Sequence, residues 1–332
     1  MLRATPVGPA AATRRDFFRF AGIGALAAVA AGWAMTSLTS SPTTVSMVQT
    51  AWTVPGFALA LHAGAYADIV DRRRVIILTQ LAALVVAGAL GALEVTDHLT
   101  VGTLLAGTFL LSIALTMAGP AFMAFTPELV GLDELPRAIG LDSISRNIAQ
   151  SVGPALAGLV IAASGPGAVF LVNAASFVGI VIVLRGRHQA VAPDAADAPD
   201  AARETVNTAI RSGVQFFRRS PRLRRIAGRL TLTWGLTVAL TALMPVAARG
   251  NLHTSAGEFG VLSAALGVGA VAAVWAIPRL APSAGPDAIA LVGAVGWSAG
   301  VAVFAATGSV PVAVIGLVLA GGGAMATINT LF

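Results

Sequence analysis

Asp142 and Arg146 stand four residues apart at the polar start of an apolar stretch, with Asn147 and Gln150 just beyond them. On a helix that spacing is one turn, so the two charges can neutralise each other. Ionisable groups at membrane depth are costly and point to transport or coupling by default. Near the end of a span, the same pair serves equally well as a structural anchor whose arginine snorkels to the headgroups. Gln49 with Trp52, and Trp234 with Thr237 and Thr241, are further polar and aromatic groups set among apolar neighbours. They are candidates either for the wall of a solute cavity or for interfacial anchors and interhelical hydrogen bonding. His62 titrates in the physiological range and is either a proton sensor or an interfacial residue.

Other chemistries are closed off. There is no cysteine among the 332 residues, which removes disulfides, thiolate metal sites and cysteine nucleophiles. All 21 basic residues are arginine, so a phosphate loop with its lysine is absent as well. The run from Gly296 through Ser298 to Gly300 spells a nucleophile elbow, but that device needs a strand, a sharp turn and triad partners. Here it falls inside an apolar helical stretch. The reading is therefore of a protein that is not an enzyme and needs no cofactor or metal.

The elements that must position these residues are membrane helices. Hydrophobic residues make up 56% of the chain and charged ones 11%, against about 25% charged in ordinary soluble domains. Mean hydropathy is +0.83. Apolar runs of about 20 residues recur, each long enough to cross a hydrocarbon core. Backbone groups in lipid must satisfy one another, which selects helices. Ten spans are expected, at 17–38, 43–66, 75–93, 100–122, 143–163, 166–184, 226–248, 257–277, 288–306 and 311–332. With the N-terminus in the cytoplasm, Arg72, Arg73, Arg74, Arg137, Arg279 and the cluster from Arg185 to Arg229 all fall inside, and only Arg249 falls outside. This is the asymmetry of the positive-inside rule, and the opposite orientation fails it. A multi-pass protein of a bacterial inner membrane with a cytoplasmic N-terminus is expected. It also explains the pI of 11.4 without a nucleic-acid partner.

The one long connection divides the chain into an N-terminal six-helix bundle over 1–184, a cytoplasmic linker over 185–225 and a C-terminal bundle over 226–332. Within the linker, Val206, Ile210, Val214 and Phe217 recur at helical spacing among arginines. That pattern predicts an amphipathic helix on the inner leaflet, the alternative being a plain solvated linker. Arg14 and Arg15 before an apolar run mimic a twin-arginine export signal. No soluble domain follows, so a first membrane helix is the better reading.

Between spans two and three the sequence runs Gly64, Ala65, Tyr66, Ala67, Asp68, Ile69, Val70, Asp71, Arg72, Arg73, Arg74. This resembles the loop signature of the major facilitator superfamily, a glycine, an aspartate four residues on, then a basic cluster. Asp71 and the Pro55–Arg72 pattern resemble the exporter branch that includes the enterobactin exporter and macrolide efflux proteins. In span five, Gly140, Ala149, Gly153, Pro154, Ala157 and Gly158 resemble the antiporter motif of family exporters, with alanine for glycine at Ala149 and Ala157. Small residues at this spacing allow close helix contact, and the bend at Pro154 is tolerated because neighbours re-satisfy the backbone.

The resemblance implies an all-α major facilitator fold, with about ten of twelve transmembrane helices present. It implies that Asp68 latches one conformation against an eleventh helix, and that Gly140, Gly153, Pro154 and Gly158 form a leak-tight hinge. It also implies a monomeric secondary transporter in the lipid bilayer, exporting small amphipathic molecules in exchange for protons. The sequence departs from the exporter pattern in span four, where Thr100 to Phe122 carries no basic residue. The chain ends at Phe332 inside an apolar run. The alternative expectation is accordingly a truncated, transport-inactive fragment or a regulatory membrane protein.

Overall fold

A computed structural model describes residues 24–130, 135–185 and 215–329. The described residues form α1 (Gly24–Leu38), α2 (Pro42–Ile69), α3 (Arg72–Val95), α4 (Val101–Val130), α5 (Leu135–Arg185), α6 (Pro221–Gly250), α7 (Ala256–Ala284), α8 (Pro286–Ala306) and α9 (Val310–Asn329), with no strand among them. The helix α5 is two limbs meeting at Gly165, whose φ of 78° and ψ of 170° reverse the chain. A left-handed φ is cheap only without a Cβ, which is why glycine occupies this break. Successive limbs therefore run up and down. One end of the molecule carries the Arg72–Arg74 turn, and the opposite end carries the turns at 39–41, 96–100, 165, 251–255 and 307–309.

Local chemistry sets these ends. Ser41 caps α2, its side chain accepting from the Thr44 amide with Pro42 in the first turn. At the C-terminus of α3, Asp97 adopts φ 57° while the His98 amide bonds to the Leu93 carbonyl at 2.8 Å and the Asp97 amide to Glu94 at 3.1 Å. Those two bonds make a Schellman ending with aspartate in the usual glycine position. Ser220 caps α6 and Pro221 opens it, so this helix starts five residues before the expected edge at 226. The early start is explained by the cap, since Ser220 Oγ takes the Leu223 amide at 3.3 Å.

The distribution of side-chain size is inverted relative to a soluble protein. Alanines such as Ala30, Ala34, Ala83, Ala87, Ala313 and Ala320 are fully buried, while Phe57, Leu78, Val85, Leu291 and Val292 lie on the exterior. Lipid is as apolar as leucine, so membrane bundles gain by close contact of small residues inside and leave large ones to the tails. Among the described residues, seven helical segments are long and apolar enough to cross a membrane. The 15 described residues of α1 and the more polar α2, with Thr43, Thr44, Gln49 and Thr53 in its first half, are not among those seven. The main buried cluster runs through both halves of the chain, from Ala27 to Ala320. A smaller cluster of Val75, Ile76, Ala121, Ile180 and Leu184 lies at the arginine-turn end.

Residues 1–23, with Arg14 and Arg15, lie outside the described residues, as does the linker over 186–214 with Val206, Ile210 and Val214. Of the amphipathic helix expected there, a helical turn over 215–219 is described, and its Phe216 and Phe217 are exposed.

Candidate functional site: a cavity between the two halves

A cavity of about 650 Å³ lies between the halves, walled by α1, α2, α6, α7, α8 and α9. Its upper wall, toward the turns at 39–41 and 251–255, is made by Val45 and Phe259. It extends from there toward the other end, reaching Trp234 and Ile328 most of a helix length away. The size suits a drug-sized ligand.

The cavity owes its shape to two kinds of residue. Pro245 lies inside α6, and its Cγ is 3.2 Å from where a Cβ on Gly32 would stand, so α1 and α6 approach closely at the cavity edge. On the other side, α9 presses into α7 through glycines. A Cβ on Gly269 would collide with the Val318 carbonyl, and one on Gly321 with the Leu266 carbonyl. The α7–α9 wall is thus a backbone-to-backbone contact that leaves the remaining volume to the cavity.

The wall is mostly apolar, with a few polar groups and no charge among the described lining residues. Thr237 Oγ1 donates to the Thr233 carbonyl at 2.9 Å, and Thr241 Oγ1 to the Thr237 carbonyl at 3.2 Å. With their protons committed to the helix, these hydroxyls can offer a ligand only lone pairs. The Gln49 amide donates to Thr53 Oγ1 at 3.3 Å. Ser263 Oγ and Trp297 Nε1 are buried with no hydrogen-bond partner. Trp234 is 54% exposed, its large apolar ring uncovered at the cavity edge. Such a wall can hold an apolar body and make a few hydrogen bonds, and nothing described in it would match a ligand's formal charge.

The arginine turn is built around helix ends. Asp71 caps α3, its Oδ1 accepting from the amides of Arg73 at 2.9 Å and Arg74 at 3.2 Å. Its Oδ2 also lies 3.6 Å from Arg74 Nε, an exposed pair of small energetic weight. Arg73 reaches across to the C-terminus of α5, where Nε and Nη2 donate to the Leu184 carbonyl at 3.0 and 2.8 Å and Nη2 to Arg185 at 3.3 Å. A cation on the last carbonyls satisfies orphan acceptors and faces the negative end of the helix dipole. Arg72 Nη1 donates to the Ala124 carbonyl at 3.4 Å. The turn thereby ties α3 to α4 and α5 directly above the small apolar cluster.

The two signatures land in different surroundings. A Cβ on Gly64 or on Gly140 would meet nothing within 4 Å, whereas one on Gly158 would collide with the backbone of Gly260 and lie 2.9 Å from the Ala256 carbonyl. Gly158 is thus a crossing point between α5 and α7, and Gly153 is buried on the same helix. The backbones of Asp68, Asp142, Arg146, Asn147, Gln150 and Pro154 run in α2 and α5, but their side chains lie outside the described residues. Gln49, Trp234, Thr237 and Thr241 stand in the cavity wall. His62 is exposed on α2. The residues from Gly296 to Gly300 run as continuous helix within α8.

Sequence reasoning missed a contact between the halves. The Arg249 guanidinium lies 4.9 Å from the centre of the Trp33 ring, and its Nη1 donates to Thr36 Oγ1 at 2.9 Å. Trp33 in turn stacks on Phe259, centroids 5.1 Å apart and planes 25° from parallel. The one signal available was the position of Trp33 and Arg249 near span ends, where aromatic and basic residues ordinarily serve as interfacial anchors.

The sequence profile of the family described as "Transmembrane secretion effector" matches residues 19–332. Enterobactin exporter EntS of Citrobacter koseri is 28% identical over 202 residues, 60% of this chain and 45% of that protein. The chain thus aligns with under half the length of that relative. Among solved structures, a bacterial homolog of the human lysosomal transporter Spinster superposes with a TM-score of 0.70 at 14% identity, covering 98% of this chain and 75% of that one. The nucleoside transporter NupG gives 0.73 at 12% identity, covering 98% and 80%.

Proposed function

Because the chain belongs to the transmembrane secretion effector family of major facilitator transporters, we propose that it carries a small, amphipathic, uncharged solute out of the cell as a secondary active exporter. The observation that carries this reading is the cavity between the halves, with Gln49, Thr237, Thr241 and Trp234 in an otherwise apolar wall. A cavity at the interface of two bundles is where rocking of one half against the other exposes a solute to each side in turn. The relative EntS is an exporter of enterobactin by its name. A drug, siderophore or secondary metabolite fits the volume and the uncharged wall.

Protons are the proposed coupling ion, with Asp142 and Arg146 as the candidate pair and Asp68 as a candidate latch of the arginine turn. The Arg72–Arg74 end faces the cytoplasm by the positive-inside rule, and Arg249 faces the opposite side. The three-part division at 184 and 225 and the monomeric state belong to the same proposal. The test is efflux of a panel of amphipathic solutes from proteoliposomes under an imposed pH gradient, comparing the parent with Trp234→Ala and Asp68→Asn. Export that collapses with the gradient and weakens in Trp234→Ala is expected. Gradient-independent leakage, or no transport of any panel member, sinks the proposal.

A further inference from the structure

We propose that Arg249, Trp33 and Phe259 form a latch that shuts the cavity at the end away from the arginine turn, with Phe259 making it responsive to what fills the cavity. The proposal rests on the two-sided reading of the cavity above and adds the regulation of one of its two openings.

Three observations converge. Phe259, 2% exposed, is both a wall of the cavity and the stacking partner of Trp33. Trp33, 7% exposed, touches both Phe259 and the Arg249 guanidinium, so the three side chains form a column of contacts from the cavity to the exposed Arg249. The column also joins the halves, since Trp33 belongs to α1 while Arg249 and Phe259 belong to α6 and α7. The crossing of Gly158 over Gly260 stands beside it on the same helix as Phe259.

The chemistry suits a closure that must reopen. Thr36 Oγ1 donates its own proton to the Trp33 carbonyl at 2.7 Å, leaving a lone pair for Arg249. Among the described residues no carboxylate lies within ion-pair distance of Arg249, so the cation is held by a ring face and one hydroxyl. Such contacts are individually modest, and two conformations separated by a small free energy need no more. A solute that displaces the Phe259 ring also removes the support beneath Trp33, so occupancy loosens the closure.

The test uses the absence of cysteine from the chain. A single cysteine replaces Val48, a buried residue of the cavity wall, and a second reporter replaces Ala83, buried elsewhere. Each is placed in the full chain in sealed membrane vesicles, and a membrane-impermeant maleimide is added only on the Arg249 side. Arg249→Gln and Phe259→Leu are each expected to raise the labelling rate at position 48 by roughly three- to tenfold, with no change at position 83. The double substitution is expected to add little to either single one, because both break one column. Unchanged labelling at 48 in Arg249→Gln overturns the latch, and unchanged labelling in Phe259→Leu overturns its link to the cavity. A rise at both reporters shows general loosening and also overturns it. Labelling needs neither solute nor gradient, so the outcome stands apart from whether export is observed.

Discussion

Arg73 binds the end of a helix to which it is not covalently adjacent, donating from Nε and Nη2 to the carbonyl of Leu184, 111 residues away. The contact converts a basic turn that reads as a topology signal into a structural tie. Charge-assisted bonds to a carbonyl are worth about 1.5–3 kcal/mol. Arg73→Ala is therefore expected to lower the thermal midpoint of the detergent-solubilised protein by that equivalent. Arg73→Lys keeps the charge but loses the fork, and should fall between the two. Equal midpoints for all three would show that the tie contributes nothing.

Asp71 allows its two roles to be separated. As the cap of α3 it accepts from two amides, and as an ion-pair partner it faces Arg74 at 3.6 Å on the surface. Loss of a cap costs about 0.5–2 kcal/mol, whereas an exposed pair contributes little. Asp71→Ser, which can cap but carries no charge, should match the parent in thermal unfolding, while Asp71→Ala should be destabilised. If Asp71→Ser behaves like Asp71→Ala, the charge is what matters.

The glycines of the two signatures should differ in kind. Overpacking a close contact costs about 1–3 kcal/mol. Gly158→Ala forces a methyl group into the Gly260 backbone and should destabilise the protein by that order. Gly64→Ala and Gly140→Ala meet open space and should leave the thermal midpoint unchanged. Should Gly64→Ala leave stability intact yet abolish solute export, the position is needed in a conformation other than this one.

Seven apolar helical segments among the described residues were legible because hydrophobic length alone decides them. The break at Gly165 was also legible, as a two-residue gap between the spans expected at 143–163 and 166–184. Partnership across the bundle was not. Nothing in the sequence near Gly158 names Gly260, and nothing near Trp33 names Arg249, because each contact depends on how two helices separated by a long stretch of chain are rotated about their axes. The cavity residues Gln49 and Trp234 stood out as polar and aromatic groups in greasy helices. Ser263 and Trp297, which share that wall, did not, because Ser263 has no polar neighbour at helical spacing and Trp297 was read only as part of the run from Gly296 to Gly300.

Asn173 offers the sharpest energetic test. It is fully buried in the second limb of α5, and neither its Oδ1 nor its Nδ2 has a hydrogen-bond partner, although its backbone carbonyl accepts from Ser176 Oγ at 2.6 Å. A buried polar group left unpaired costs about 1–3 kcal/mol, while a shape-preserving apolar replacement removes that cost. Asn173→Leu is therefore expected to raise the thermal midpoint. The same variant separates two reasons for tolerating the cost. If the stabilised protein retains the proposed export, the asparagine is dispensable to it. If it is more stable but no longer turns over, the amide finds its partner only when the halves have moved, and its strain in this conformation favours the departure.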